Sequence, residues 1–119
     1  MKIGSNYYKK LIKNPNIQIL PPSNKFSKNI YWVVGIVIKN NKISAYKLSK
    51  KLAKNGIMTR PFFWPMHKQK IFMKKKIFKK QKFPNTDHLS KYGLYLPASI
   101  SLKEYEIDHI CKKLNKFLL

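Results

Sequence analysis

Residues Tyr31 to Ile38 read Tyr-Trp-Val-Val-Gly-Ile-Val-Ile, and no other stretch limits the fold as strongly. Aromatic and β-branched side chains fit a pleated strand, and a run without polar alternation needs cover on both faces. The polar turn Lys39-Asn40-Asn41-Lys42 closes it. Such a strand belongs inside a layered domain, so the flanking segments should supply the layers.

Helical patterns lie on either side. Ile3, Tyr7 and Leu11 recur at helical spacing, widened by Tyr8 and Ile12, which predicts a start helix within 1–13 that stops at Asn14-Pro15. Pro21-Pro22 with Ser23-Asn24 reads as a linker. Ser44 is placed as an N-cap for a helix carrying Ala45, Leu48, Leu52 and Ala53, and Asn55-Gly56 supplies a left-handed stop. Ile57 to Arg60 and Leu94 to Leu96 are short strand candidates. The closing helix, 101–118, is predicted from a Ser101/Glu104 capping box and an apolar stripe of Ile107, Ile110, Cys111, Leu114, Phe117 and Leu118. The expectation is one α+β domain, 1–119, with a small, mainly antiparallel sheet and helices packed on one face of it.

Charge is the dominant compositional feature: 26 basic residues against four acidic, a formal net +22. A field of that size draws phosphates, nucleic acid or anionic lipid at low salt, whatever the fold, so nonspecific polyanion binding is expected. All but one of the basic residues are Lys, and only Arg60 is Arg. Recognition of bases and phosphates generally uses the bidentate guanidinium fork as well, so near-exclusive lysine weakens the nucleic-acid reading. That reading rests on Lys68 to Phe83, where Ile71, Phe72, Phe78 and Phe83 alternate with lysines and the rings could stack on single strands. A membrane-surface helix there lacks a clean apolar stripe. Apolar residues make up 44% of the chain, too many for disorder. The longest apolar run is about half the ~20 residues of a membrane-spanning helix. A single cysteine, Cys111, and no visible signal peptide predict a cytoplasmic protein.

Groups suited to catalysis are few. Three of the four acids, Glu104, Glu106 and Asp108, cluster at the start of the closing helix, off its stripe. Cys111 lies on the stripe as a small core residue. His67, His88 and His109 have no partner at metal-ligand spacing, and no glycine-rich phosphate loop is present. His88, beside Asp87 at a helix start, and His109 are read as surface residues.

One segment suggests a ligand. Thr59-Arg60-Pro61-Phe62-Phe63-Trp64-Pro65-Met66-His67 sets the only arginine and a histidine at the ends of an aromatic, proline-stiffened loop. Proline reduces the entropy lost on ordering, and rings near a guanidinium suit a planar or anionic ligand.

Together these strings carry a resemblance. The strand 31–38, then Leu-Ala-Lys-Asn-Gly-Ile-Met-Thr-Arg-Pro-Phe-Phe-Trp-Pro-Met-His-Lys-Gln (52–69), then Leu-Ser-Lys-Tyr-Gly-Leu-Tyr-Leu-Pro (89–97) and a closing helix, resemble in order the C-terminal part of the DegT/DnrJ/EryC1/StrS aminotransferases. Within that family the chain is most similar to the perosamine-synthase type. The resemblance implies the small domain of a fold type I enzyme dependent on pyridoxal phosphate, which moves an amino group from glutamate to a keto sugar carried on a nucleotide, in polysaccharide or O-antigen biosynthesis. It further implies that Arg60 and His67 face the donor carboxylate or the nucleotide sugar, and that Phe62, Phe63 and Trp64 shape that wall. The Schiff-base lysine, the aspartate on the pyridine nitrogen and the phosphate cup belong to the family's large N-terminal domain. This chain is therefore expected to bind no pyridoxal phosphate alone. It would be inactive alone, either a fragment of a split or decayed enzyme or one part of an enzyme completed by a separate chain carrying that domain, with a homodimer as the full enzyme. Lys70 stands where the family usually has proline.

Overall fold

The computed structural model describes residues 2–40, 42–78 and 81–119. Helix α1 (Lys2–Leu11) is followed by strands β1 (Ile17–Ile19) and β2 (Val34–Ile38), helix α2 (Ala45–Ala53) and strand β3 (Arg60–Pro61). A short 3₁₀ turn (Met66–Lys68) leads into α3 (Lys70–Lys74), α4 (Pro84–Tyr92), β4 (Gly93–Leu96) and α5 (Glu104–Leu118). The four strands form one antiparallel sheet in the order β1-β2-β4-β3. The α+β architecture expected from the sequence is the one observed.

Strand alternation divides the sheet into two unlike faces. Val34, Ile36 and Ile38 of β2 and Leu94 and Leu96 of β4 are buried in a core with Tyr7 and Leu11 of α1, Leu48 and Leu52 of α2, and Ile107, Ile110, Leu114 and Leu118 of α5. Gly35, Val37, Gly93 and Tyr95 point the other way, toward Phe62 and the candidate loop. Ser44 caps α2 as expected, its hydroxyl accepting from Lys47 N–H, and Gly56 ends that helix at φ +75°. Positive φ without a Cβ clash is what glycine supplies there.

The sequence reading needs several corrections. β2 begins at Val34 rather than Tyr31, because Tyr31 adopts φ 51° and turns the chain. That turn is tied by the Tyr31 hydroxyl donating to the Leu20 carbonyl and by Asn29 Oδ1 accepting from Tyr31 N–H. The Ile17–Ile19 strand was not anticipated. Ile12 and Ala53 are exposed rather than packed. The α5 cap lies two residues further on than Ser101/Glu104: Glu106 accepts from Lys103 N–H at 2.7 Å, whereas the Ser101 hydroxyl bonds Ser99. The α5 stripe itself is as expected, with Cys111 buried in it.

Candidate functional site

The candidate loop is anchored at the β3 end of the sheet. Arg60 pairs with Tyr95 and Pro61 with Leu94 in antiparallel register. Phe62 N–H then donates to the Gly93 carbonyl at 3.3 Å. The Phe62 ring lies across Gly93 and Gly35 and stacks on Tyr95, with ring centroids 4.6 Å apart and planes 26° apart. Phe63 meets the same Tyr95 edge-on at 6.0 Å. Offset and edge contacts of this kind fix ring orientation.

Around these rings the second sheet face, on which Phe62 and Leu89 of α4 lie, is flanked by two hollows. A cavity of about 610 Å³ is walled by Ile30, Trp32, Val33, Phe62, Leu89 and Tyr95. A cavity of about 320 Å³ shares Trp32 and Tyr95 with it and adds Thr59 and Arg60. Thr59 Oγ1 is buried there without a hydrogen-bond partner. A buried hydroxyl with no partner forfeits about 1–3 kcal/mol of hydration. Arg60 is exposed beside it, its guanidinium able to bind an anionic group in bidentate fashion. Trp32, 76% exposed, is an aromatic wall held out of the core. The apolar run 31–38 predicts a place inside the strand for it instead.

The far end of the loop turns away from Tyr95. Trp64 is exposed, but its indole N–H donates to the Lys68 carbonyl at 3.1 Å, so its ring is tied to the 3₁₀ turn. His67 packs against Phe83 with ring centroids 4.8 Å apart, and its Nε2 lies 2.8 Å from Asp87 Oδ1. Lys68 Nζ reaches the same oxygen at 2.8 Å. Lys68 first, then His67, hold the Asp87 carboxyl below the ordinary carboxylate range. The fold thus gathers Arg60, Phe62 and Phe63 around Tyr95, and pairs His67 with Asp87 of α4. Asp87 was not recognised as a site residue in the sequence, where it stands 20 positions from its partner.

Several other titratable groups are engaged in the scaffold. Asp108 pairs with Lys10, and Glu106 caps α5. Burial pushes the Cys111 thiol up to about 12, so it is a protonated core residue at neutral pH. Among the described residues no group of three His, Cys, Asp or Glu could hold a metal ion. None of their helices is long and apolar enough to cross a membrane. Phe78 meets Phe72 and Phe83 edge-on, and Phe83 also packs on His67, so these rings do not stand free as stacking platforms for bases.

Pyridoxal phosphate does not fit the described residues alone. A Schiff-base lysine needs a desolvated pocket that lowers its pKa. Every lysine among the described residues is at least partly exposed, so none of them lies in such a pocket.

Comparison with known proteins places this geometry. Residues 1–115 match the model of the DegT/DnrJ/EryC1/StrS aminotransferase family. The GDP-perosamine synthase of Escherichia coli O157:H7 is 32% identical over 109 residues, covering 89% of this chain and 29% of that protein. The Helicobacter pylori aminotransferase PseC, involved in pseudoaminic acid biosynthesis, superposes with a TM-score of 0.81 at 16% identity, over 98% of this chain and 31% of that one. A Streptococcus pneumoniae protein assigned as a sugar aminotransferase, in its PLP form, superposes at 0.83 with 17% identity, over 99% and 31%. The structural likenesses show the shared fold. This chain spans about three-tenths of the length of the relatives it matches.

Proposed function

The chain belongs to the DegT/DnrJ/EryC1/StrS aminotransferase family, and from that premise we propose that it is a small domain which walls the substrate pocket of a sugar aminotransferase. The reaction is transfer of an amino group from glutamate to a keto sugar carried on a nucleotide. Pyridoxal phosphate is held by a large domain outside these residues, supplied by the rest of a longer protein or by a separate chain, with a homodimer as the complete enzyme. The chain does not transaminate alone. Its single cysteine suits a cytoplasmic setting.

The observation that carries this reading is the Arg60 corner of the sheet: an exposed guanidinium residue lining one cavity together with the Tyr95 and Trp32 rings. Fixed rings and a positioned cation are the means by which a pocket wall orients a nucleotide-linked substrate or a dicarboxylate donor. Phe62, Phe63 and Trp64 shape the wall, and His67 closes the loop.

A chimera tests it. This chain replaces the corresponding segment of the Escherichia coli GDP-perosamine synthase, and sugar amination is assayed. Activity in the chimera, cut at least tenfold by Arg60→Lys, is expected. A folded chimera that binds pyridoxal phosphate and aminates no sugar would overturn the proposal.

A further inference from the structure

Resting on the pocket reading above, we infer that Asp87 is a positioning residue for His67: it fixes the imidazole as the Nε2–H tautomer and leaves Nδ1 as the nitrogen offered to ligand. The groups around the ring come from α4 with its N-cap Phe83 and from the 3₁₀ turn. Asp87 of α4 takes Nε2 at 2.8 Å, Lys68 of the 3₁₀ turn holds the same carboxylate oxygen at 2.8 Å, and the Phe83 ring lies against the imidazole with centroids 4.8 Å apart. Lys68 keeps Asp87 ionised at neutral pH, and an ionised carboxylate only accepts hydrogen bonds. Nε2 must therefore carry the proton. A ring nitrogen bound to a carboxylate dictates what the other nitrogen can do. No hydrogen bond from the described residues reaches Nδ1, and the His67 side chain is only 14% exposed.

The chemical consequence is selective. A neutral imidazole locked in this tautomer presents a lone pair at Nδ1, so it accepts from a hydroxyl or an amine. In the proposed reaction such donors are the hydroxyls of the sugar and the amine of glutamate, whereas a carboxylate offers none. Phe83 adds rigidity, because rotating the ring to present Nε2 would break both the aromatic contact and the bond to Asp87. A loop histidine without this support would sample both tautomers and contribute less to orientation.

Side-chain ¹⁵N spectra of the intact chain decide the matter, with His88 and His109 as controls in the same sample. At a pH where the rings are neutral, His67 is expected as a single Nε2–H tautomer. Asp87→Ala should convert it to a mixture resembling the controls, and Asp87→Glu should restore the single form. An unchanged His67 signature in Asp87→Ala, with the backbone amide spectrum otherwise intact, overturns the inference; so does a wild-type His67 already mixed like the controls. These spectra need neither cofactor nor activity. A silent chimera would count against the pocket reading, and an altered tautomer would still establish the role of Asp87.

Discussion

The Phe62 ring lies so close over Gly93 that a β-carbon at position 93 would stand 2.2 Å from Phe62 Cδ2 and 2.4 Å from the Leu89 carbonyl. The site loop is therefore seated on a glycine of the central sheet. Phe62 reaches Tyr95 only because position 93 has no side chain. Gly93→Ala should destabilise the chain by about 1–3 kcal/mol, the usual range for overpacking, and disturb the Phe62–Tyr95 stack. Urea denaturation gives the first quantity and near-ultraviolet circular dichroism the second. In a Phe62→Ala background the penalty should shrink but persist, since the Leu89 carbonyl remains in place.

Thr59 offers the opposite sign. Its buried hydroxyl has no partner, so Thr59→Val replaces an unsatisfied group with a methyl of similar volume. The isolated chain should gain about 1 kcal/mol by urea denaturation. Loss of stability would mean that the hydroxyl is hydrogen-bonded in solution.

The α5 cap discriminates between two neighbouring residues. Glu106 accepts from Lys103 N–H at 2.7 Å within the first turn, while the Ser101 hydroxyl bonds Ser99. Glu106→Ala should lower stability by about 0.5–1 kcal/mol, and Ser101→Ala by less than about half of that. Thermal melts of the two variants side by side check the order.

Alkaline pH should weaken the fold. Burial raises the Cys111 thiol from an ordinary 9.0 to about 12, and burial likewise raises the Tyr7 phenol, which donates to the Pro97 carbonyl. Between the unfolded and folded values the native state holds a proton that the unfolded chain releases, so stability falls as pH rises. The contribution is complete below about pH 9 and declines above it. Melting temperatures from pH 8 to 10 should fall, with a shallower slope in Cys111→Ala than in the wild type. Equal slopes would remove Cys111 as a cause.

Much of the architecture was legible because periodicity is a local signal. The α2 cap at Ser44, the Gly56 stop and the α5 stripe each follow from residues within a turn or two of one another. The features missed depend on distant contacts. β1 comprises three residues between prolines, Pro15 and Pro21, too short for alternation to register, and forms because β2 supplies its partners. Tyr31 looks like a strand residue until its hydroxyl is seen bonding Leu20 and turning the chain. In the candidate site, the loop was visible as a lone arginine in a lysine-rich chain. Asp87 was not, since nothing in Pro84–Tyr92 distinguishes a surface acid from one that meets His67 across the fold.

The claim that this chain walls a pocket without holding the cofactor is tested most directly by titrating the purified chain with pyridoxal phosphate and recording absorption spectra. Exposed lysines of ordinary reactivity should give weak, non-saturating Schiff-base absorption that disappears against a modest excess of free lysine. A saturable one-to-one Schiff-base band that survives that competition would contradict it.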